Sequence, residues 1–197
     1  MTTVSEDNTV WRRERRREMV ERRMALSPVR HADLSARIMS HLLATFRPPA
    51  VAAFCWPIKA EPDVRELLLR WMDCGVQVAL PVVLAEDAPL AFRAWLPEVP
   101  LQQDRYGIPT PVTGDWLVPD LIFLPLNGFD AAGYRIGYGG GYFDRTLAAF
   151  EPRPLAVGVG FEINRLESIR PEAHDQRLDW IVTEAGAFRI GGEAPTN

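Results

Sequence analysis

Residues 133–145 read GYRIGYGGGYFDR, five glycines within nine positions followed by an acid and an arginine. Glycine loses more backbone freedom on folding than any other residue and weakens a helix or strand that contains it. Such a run persists either as a flexible linker or because its backbone must come close to something. Its neighbours decide between the two. "DLIFLPL", residues 120–126, is a short apolar run suited to a central strand, and "FDRTLAAF" after the glycines suits a short helix. The run also carries Tyr134, Tyr138, Tyr142 and Phe143, whereas flexible linkers are rich in serine and poor in aromatics. A loop between a strand's carboxyl end and a helix lies where open α/β sheets take their ligands. The stretch reads as a site.

The surrounding chain supports that placement. "WRRERRREMVERRMALS" has seven arginines from Arg12 to Arg23, interrupted by Glu14, Glu18 and Glu21. These acids argue against a transit peptide and fit a solvated helix laced with charge pairs. Ser27 and Pro28 suit the cap and first turn of a second helix. Its apolar face is Leu34, Ile38 and Leu42 with Met39, Leu43 and Phe46. "VAAFCW" reads as a buried strand, and Pro62 opens a helix with Val64, Leu67, Leu68 and Trp71 inward, ended by Gly75. "VQVALPVV", "LAFRAW", "PLAVGVGF" and "WIVTE" read as further strands, with "LQQDRYGIPTPVTGD" a loop. Strands alternating with helices imply a three-layer α/β/α domain with a mostly parallel central sheet and an N-terminal basic helix. No repeat or linker divides residues 1–197, so one domain is expected. The first seven residues are expected to fray, and the closing "GGEAPTN" to be disordered.

Composition excludes several classes. Hydrophobic residues at 47% and charged ones at 24% are ordinary for a globular chain. A net charge of −4 gives no reason to expect nucleic-acid binding. No apolar stretch approaches a membrane span, and no secretory signal core is present. Cys55 and Cys74 lack metal-ligand spacing and read as buried, reduced thiols. A cytoplasmic monomer is expected.

Glycine N–H groups beside a helix N-terminus make a cradle for phosphate oxygens. The Walker pattern needs Gly-Lys-Ser/Thr at its end, but Gly141 is followed by Tyr142 and Phe143. The dinucleotide pattern begun by Gly137 and Gly139 needs glycine at position 142. The residues alone leave a phosphate binder of another kind or a structural turn. Asp144 suits Mg²⁺ beside bound phosphates and equally suits a helix N-terminal acid. Arg12 and Arg16, one turn apart, suit a polyphosphate grip or a solvated charged face.

The run "PDLIFLPLNGFDAAGYRIGYGGGYFDR" resembles the signature of the 5-formyltetrahydrofolate cyclo-ligase family. "EPDV" at 61–64, "YGIPTP" at 106–111 and "HDQRLDWIVTE" follow in the order expected of that family, so the resemblance spans nearly the whole chain. It implies a Rossmann-like α/β fold. It also implies ATP binding by Arg12, where the family more often has lysine, and Arg16. The implied ATP loop is Arg135, Ile136, Gly137, Tyr138, Gly139, Gly140, Gly141, Tyr142 and Phe143, where tyrosine is commoner at the last position. Folate binding would fall to Trp56, Glu61, Tyr138, Gly139, Gly140, Gly141 and Tyr142. Arg135 and Tyr142 are the implied catalytic residues, and Asp144 and Asp179 the implied Mg²⁺ carboxylates. Trp95 is expected in the core, and His31 and His41 on the surface. His174 is expected to order its loop without a part in catalysis.

The implied reaction joins 5-formyltetrahydrofolate and ATP to give 5,10-methenyltetrahydrofolate, ADP and phosphate. A formyl oxygen leaves poorly until phosphorylated, so such a site needs positioning and charge stabilisation rather than a covalent nucleophile. No Ser/His/Asp or Cys/His arrangement stands out in the chain. Two rivals are a sugar-phosphate isomerase or acyl-transfer enzyme on a similar sheet, and a non-catalytic folate- or nucleotide-binding relative.

Overall fold

A computed structural model describes residues 4–191. Helix α1 spans Val4–Met24 and helix α2 Pro28–Thr45. Strand β1 is Val51–Phe54, helix α3 Arg65–Met72, and strands β2 and β3 are Gln77–Val82 and Ala91–Ala94. Short strands β4 (Leu101–Gln103), β5 (Pro109–Pro111) and β6 (Trp116–Leu117) precede β7 (Leu121–Pro125). Next come β8 (Gly128–Phe129), β9 (Arg135–Ile136) and helix α4 (Tyr142–Ala149). Strands β10 (Leu155–Val159), β11 (Trp180–Thr183) and β12 (Gly186–Arg189) complete the fold.

Eight strands form one sheet in the order β12-β11-β10-β7-β1-β2-β3-β6. The five central strands are parallel, with Ala53 opposite Ile122 across β1 and β7, and Val157 opposite Phe123 across β10 and β7. β12, β3 and β6 pair antiparallel at the edges. Numbered among themselves, the parallel strands run 2-1-3-4-5, a doubly wound order that reverses between β1 and β7 and opens a crevice at their carboxyl ends.

Alternation along the strands builds two cores. Ala52, Phe54, Val78, Leu80 and Phe123 face Leu34, Ile38 and Leu42 of α2 and Leu67, Leu68 and Trp71 of α3. Ala53, Ala79, Ile122 and Leu124 face Leu147 of α4 and the buried Phe92 and Phe129. The three-layer arrangement follows, and Trp95 lies in the first core. Among the described residues no helix is long and apolar enough to cross a membrane.

Local chemistry sets the helix ends. The Ser27 hydroxyl accepts from the Arg30 N–H and Pro28 occupies the first turn of α2. The third helix begins at Arg65 rather than Pro62; Val64 at its cap makes no side-chain bond, and the Asp63 carboxylate just before it accepts the Arg65 N–H. Residues 4–7 are helical rather than frayed, and α1 is tied down at Asn8, whose amide donates to Glu172 at 2.6 Å. Residues 1–3 of the expected fray, and 192–197 of the expected disordered tail, lie outside the described residues. Cys74 follows α3 on an exposed turn, not in the core, and Cys55 is half-buried. Burial pushes the Cys55 thiol up. His31 and His41 are half-buried rather than fully on the surface.

Candidate functional site

The segment between β7 and α4 folds first into a hairpin, Gly128 opposite Ile136 and Phe129 opposite Arg135. Asp130 closes it, one oxygen taking the Tyr134 N–H and the other the Ile169 N–H. The glycine loop leaves the end of this hairpin and enters α4. Gly139 and Gly141 hold φ +97° and +64°, left-handed conformations that favour glycine. Among the described residues, the N–H groups of 139–144 find no acceptor. They sit where the α4 dipole favours an anion.

Helix α1 crosses the carboxyl ends of the strands and lays one face against this loop. Arg16 Nε donates to the Gly137 carbonyl at 2.6 Å, and its guanidinium lies beneath Gly139, where a Cβ would approach within 3.2 Å. Burial, with Arg12 nearby, lowers the Arg16 pKa. Arg12 grips both oxygens of Asp175 and reaches the Arg170 carbonyl at 2.9 Å. A cleft of about 470 Å³ opens beside the loop, lined in part by Gly139, Gly140, Gly141, Asp144, Arg145 and Gln176. Arg145 steadies its rim by donating to the Gly140 carbonyl at 2.6 Å.

Arg135 is buried on β9, donating to the Gln176 carbonyl at 3.1 Å and standing 3.2 Å from Asp144 Oδ1. Burial lowers its pKa, while Asp144 and Asp175 oppose that. Asp144, on the first turn of α4, also accepts the Gln176 N–H at 2.9 Å. Asp144 and Asp179 do not meet as a metal pair. Asp179 lies at the foot of β11, its carboxylate taken by Arg153 and the Ala156 N–H, both at 2.7 Å. The acid brought toward Asp144 is Asp175: it neighbours Gln176, and both carboxylates act on Arg12 and Arg135. No cluster of three or more metal-ligating side chains occurs among the described residues.

The other end of the α1 face meets Glu61. Tyr138 donates from its hydroxyl to Glu61 Oε1 at 2.5 Å, and the Ile58 N–H reaches Oε2 at 3.0 Å. Arg23, with no exposed surface, donates to Lys59 O at 2.8 Å, Asn127 Oδ1 at 3.1 Å and the Tyr138 hydroxyl at 3.1 Å. Burial raises the Glu61 pKa despite these partners. Burial and the Glu61 charge raise Tyr138. Trp56 is half-buried, edge-on to Trp95 at 5.7 Å and covered by Arg65 at 4.9 Å.

Tyr142, at the first position of α4, pairs with Tyr106. Its hydroxyl meets that of Tyr106 at 2.7 Å, and this hydrogen bond, ahead of burial, raises its pKa. Asp104 shapes the Tyr106 turn by accepting the N–H groups of Tyr106 and Ile108. Arg12, Arg16, Arg135, Asp144 and residues 137–142 therefore share one end of the sheet with Glu61. Asp179 lies elsewhere. Arg23 and Asp175 were not expected from the sequence, yet Arg12, Arg16, Met19 and Arg23 recur at steps of four, three and four, the spacing of a single helix face.

The family model of the 5-formyltetrahydrofolate cyclo-ligase family matches residues 8–184. The 5-formyltetrahydrofolate cyclo-ligase of Haemophilus influenzae is 28% identical over 181 residues, covering 87% of this chain and 96% of its own. That of Escherichia coli K12 is 28% identical over 174 residues, covering 83% and 94%. The solved 5,10-methenyltetrahydrofolate synthetase of Aquifex aeolicus superposes with a TM-score of 0.79 at 28% identity, covering 94% of this chain and 96% of that one.

Proposed function

The chain belongs to the 5-formyltetrahydrofolate cyclo-ligase family, and on that premise we propose that it converts 5-formyltetrahydrofolate and MgATP into 5,10-methenyltetrahydrofolate, ADP and phosphate. The observation that supports this most is the stack of Arg16 beneath Gly139, beside unpaired loop N–H groups and the first turn of α4. That arrangement suits the phosphates of ATP.

In this reading residues 137–143 and Arg16 hold the nucleotide, with Arg12 fixing the neighbouring Asp175 turn. Arg135, dry and beside Asp144, keeps a positive charge near the transferring phosphoryl group. Glu61 and Trp56 face the folate, and Tyr138 lies between the two substrates. Tyr142 closes the outer side of the loop with Tyr106. The formyl oxygen takes the γ-phosphoryl group as ADP leaves, N10 attacks the formyl carbon, and phosphate departs together with the N10 proton. The donor set fits Mg²⁺, which is held by one or two carboxylates plus substrate phosphates. Asp144 would hold it from the lip of the cleft, while Asp175, both oxygens taken by Arg12, anchors the adjoining turn. When bound, the ion would neutralise charge on the phosphates. We read the chain as one domain acting as a cytoplasmic monomer.

The purified protein should generate methenyl absorbance with ADP in equal proportion when given 5-formyltetrahydrofolate and MgATP together, and with neither alone. Complete folate conversion without ATP consumption would overturn this mechanism.

A further inference from the structure

We propose that Arg23 is a positioning residue that locks Tyr138 of the glycine loop onto Glu61, so that the nucleotide and folate sides of the site are set by one side chain. The proposal rests on the reading of Glu61 as the folate-facing acid. Arg23 is buried on α1, and its donors reach three separate segments. These are Lys59 after β1, Asn127 after β7, and Tyr138 in the glycine loop. The segments after β1 and β7 flank the crevice where the strand order reverses.

A guanidinium donates and never accepts. The Tyr138 oxygen must therefore accept the Arg23 hydrogen bond, and its own single proton is directed at Glu61 Oε1, 2.5 Å away. Asn127 is oriented by the same rule. Its Oδ1 faces Arg23, which leaves its buried Nδ2 without an acceptor among the described residues. A salt bridge alone would not need this geometry: Arg23 stands 3.7 Å from Glu61, farther than any of its hydrogen-bond partners. The backbone beside it is also held in an uncommon form. Lys59 and Ala60 adopt φ +48° and +57° in succession, with Lys59 O held by Arg23 and Ala60 O in contact with His31 Nε2 at 3.2 Å. Residues kept in such conformations concentrate at binding sites.

The charged and titratable groups facing Glu61 are Arg23 from α1, Lys59 from its own loop, Tyr138 from the glycine loop and Cys55 from the end of β1. Burial favours the protonated carboxyl, while the Tyr138 hydrogen bond, the Ile58 N–H, Arg23 and Lys59 favour the carboxylate. Removing the Tyr138 hydroxyl should therefore let Glu61 protonate at higher pH.

The test measures the Kd for 5-formyltetrahydrofolate by tryptophan fluorescence in wild type, Arg23→Lys, Tyr138→Phe and the double variant. Circular dichroism checks the fold of each. Each single change should raise Kd about tenfold, the effect of one hydrogen bond to a charged group. The double variant should also lose about tenfold rather than about a hundredfold, because both changes break one linked arrangement. In Tyr138→Phe the acid limb of folate binding should move to higher pH, which a purely structural role would not produce. Tyr138→Phe removes one oxygen and keeps the ring, so it remains informative if Arg23→Lys misfolds. Wild type that binds and converts folate while Tyr138→Phe leaves Kd and the acid limb unmoved overturns this inference alone. Fully multiplying losses in the double variant do the same. Wild type that neither binds nor converts 5-formyltetrahydrofolate overturns both this inference and the function on which it rests.

Discussion

Arg12 and Arg23 lie on the same face of α1, roughly 16 Å apart at 1.5 Å per residue, yet they treat their acidic partners in opposite ways. The Arg12 and Asp175 side chains are 14% and 7% exposed, and those of Arg23 and Glu61 are 0% and 4% exposed. Burial pushes the Asp175 pKa up, but the grip of Arg12, the Glu172 N–H and His174 outweigh it and leave the value lowered. Burial of Glu61 wins over Tyr138, Ile58 and Arg23 and leaves its value raised. The cause is where the donors go. Arg12 gives two nitrogens to one carboxylate, whereas Arg23 spends its donors on Lys59, Asn127 and Tyr138. The shallow arginine balances charge and the deep one sets geometry.

Replacing each arginine by methionine should separate the two ends most sharply. Arg23→Met leaves a buried acid and several buried acceptors uncompensated, a loss of about 3–5 kcal/mol of stability. Arg12→Met should cost about 1.5–3 kcal/mol, the range of hydrogen bonds to a charged group. Urea unfolding midpoints read both, and equal losses would erase the contrast between deep and shallow ends.

Next in size is the loop they flank. Gly139→Ala forces a side chain into a left-handed position, with a Cβ 3.2 Å from the Arg16 guanidinium. A cost of about 1–3 kcal/mol in stability is expected, and a rise in the KM for ATP should accompany it. Gly137 has neither the positive φ nor any atom within 4 Å of a Cβ, so Gly137→Ala should cost less stability. A Gly139→Ala protein with wild-type ATP kinetics would detach Arg16 from the nucleotide.

The pH dependence carries the comparison in its sign. Asp175, depressed in the fold, stabilises the protein above the ordinary aspartate value of 3.8, and that contribution disappears as pH falls through its folded value. Glu61, raised in the fold, acts oppositely: stability is fullest below the ordinary glutamate value of 4.5 and declines as pH rises through its folded value. Melting curves should show Asp175→Asn flattening the acid loss and Glu61→Gln flattening the decline above 4.5. Changes of the same sign in both variants would contradict the opposed shifts. Smallest of all is Arg17→Ala. Arg17 is 79% exposed and, among the described residues, pairs only with the exposed Glu21 one turn on, so stability should move by no more than about 0.5 kcal/mol. A larger loss would mean that the solvated face of α1 also carries weight.

Long periodic segments were legible in the sequence, and short ones were not. α2 announced itself through its cap and its 3.6-residue apolar rhythm, and β7 through an uninterrupted apolar run. β8 and β9 have two residues each, too few for any alternation, so the hairpin that launches the glycine loop left no pattern. β5 contains Pro109 and Pro111, which argue against a strand until an edge pairing is seen. Asp175 and Asp179 occur within one six-residue motif, HDQRLD. Only the pairing of β10 with β11 tells which turns toward the loop, since it carries Asp179 into line with Ala156. Arg23 was hidden among seven arginines. Its distinguishing mark is a face shared with Arg12 and Arg16, and its burial contrasts with Arg22, whose side chain is 44% exposed.

The face of α1 also dictates a timetable. This helix precedes every other element described, but Arg12 bonds to Asp175, 163 residues later, Arg16 to Gly137, 121 later, and Arg23 to Asn127, 104 later. Contacts so far apart in sequence cannot form until the intervening chain exists and its ends have been brought together. At ribosomal speeds of about 5–20 residues per second, roughly 8–33 s separate Arg12 from Asp175. Throughout that interval the Arg12 end of α1 lacks its partner, although the Lys59 carbonyl that Arg23 meets lies only 36 residues on. A ribosome halted before Asp175 would therefore carry a nascent sheet with no closed site above it. The Arg12 end of α1 cannot be seated before Asp175 is made, so that side of the cleft closes late in synthesis.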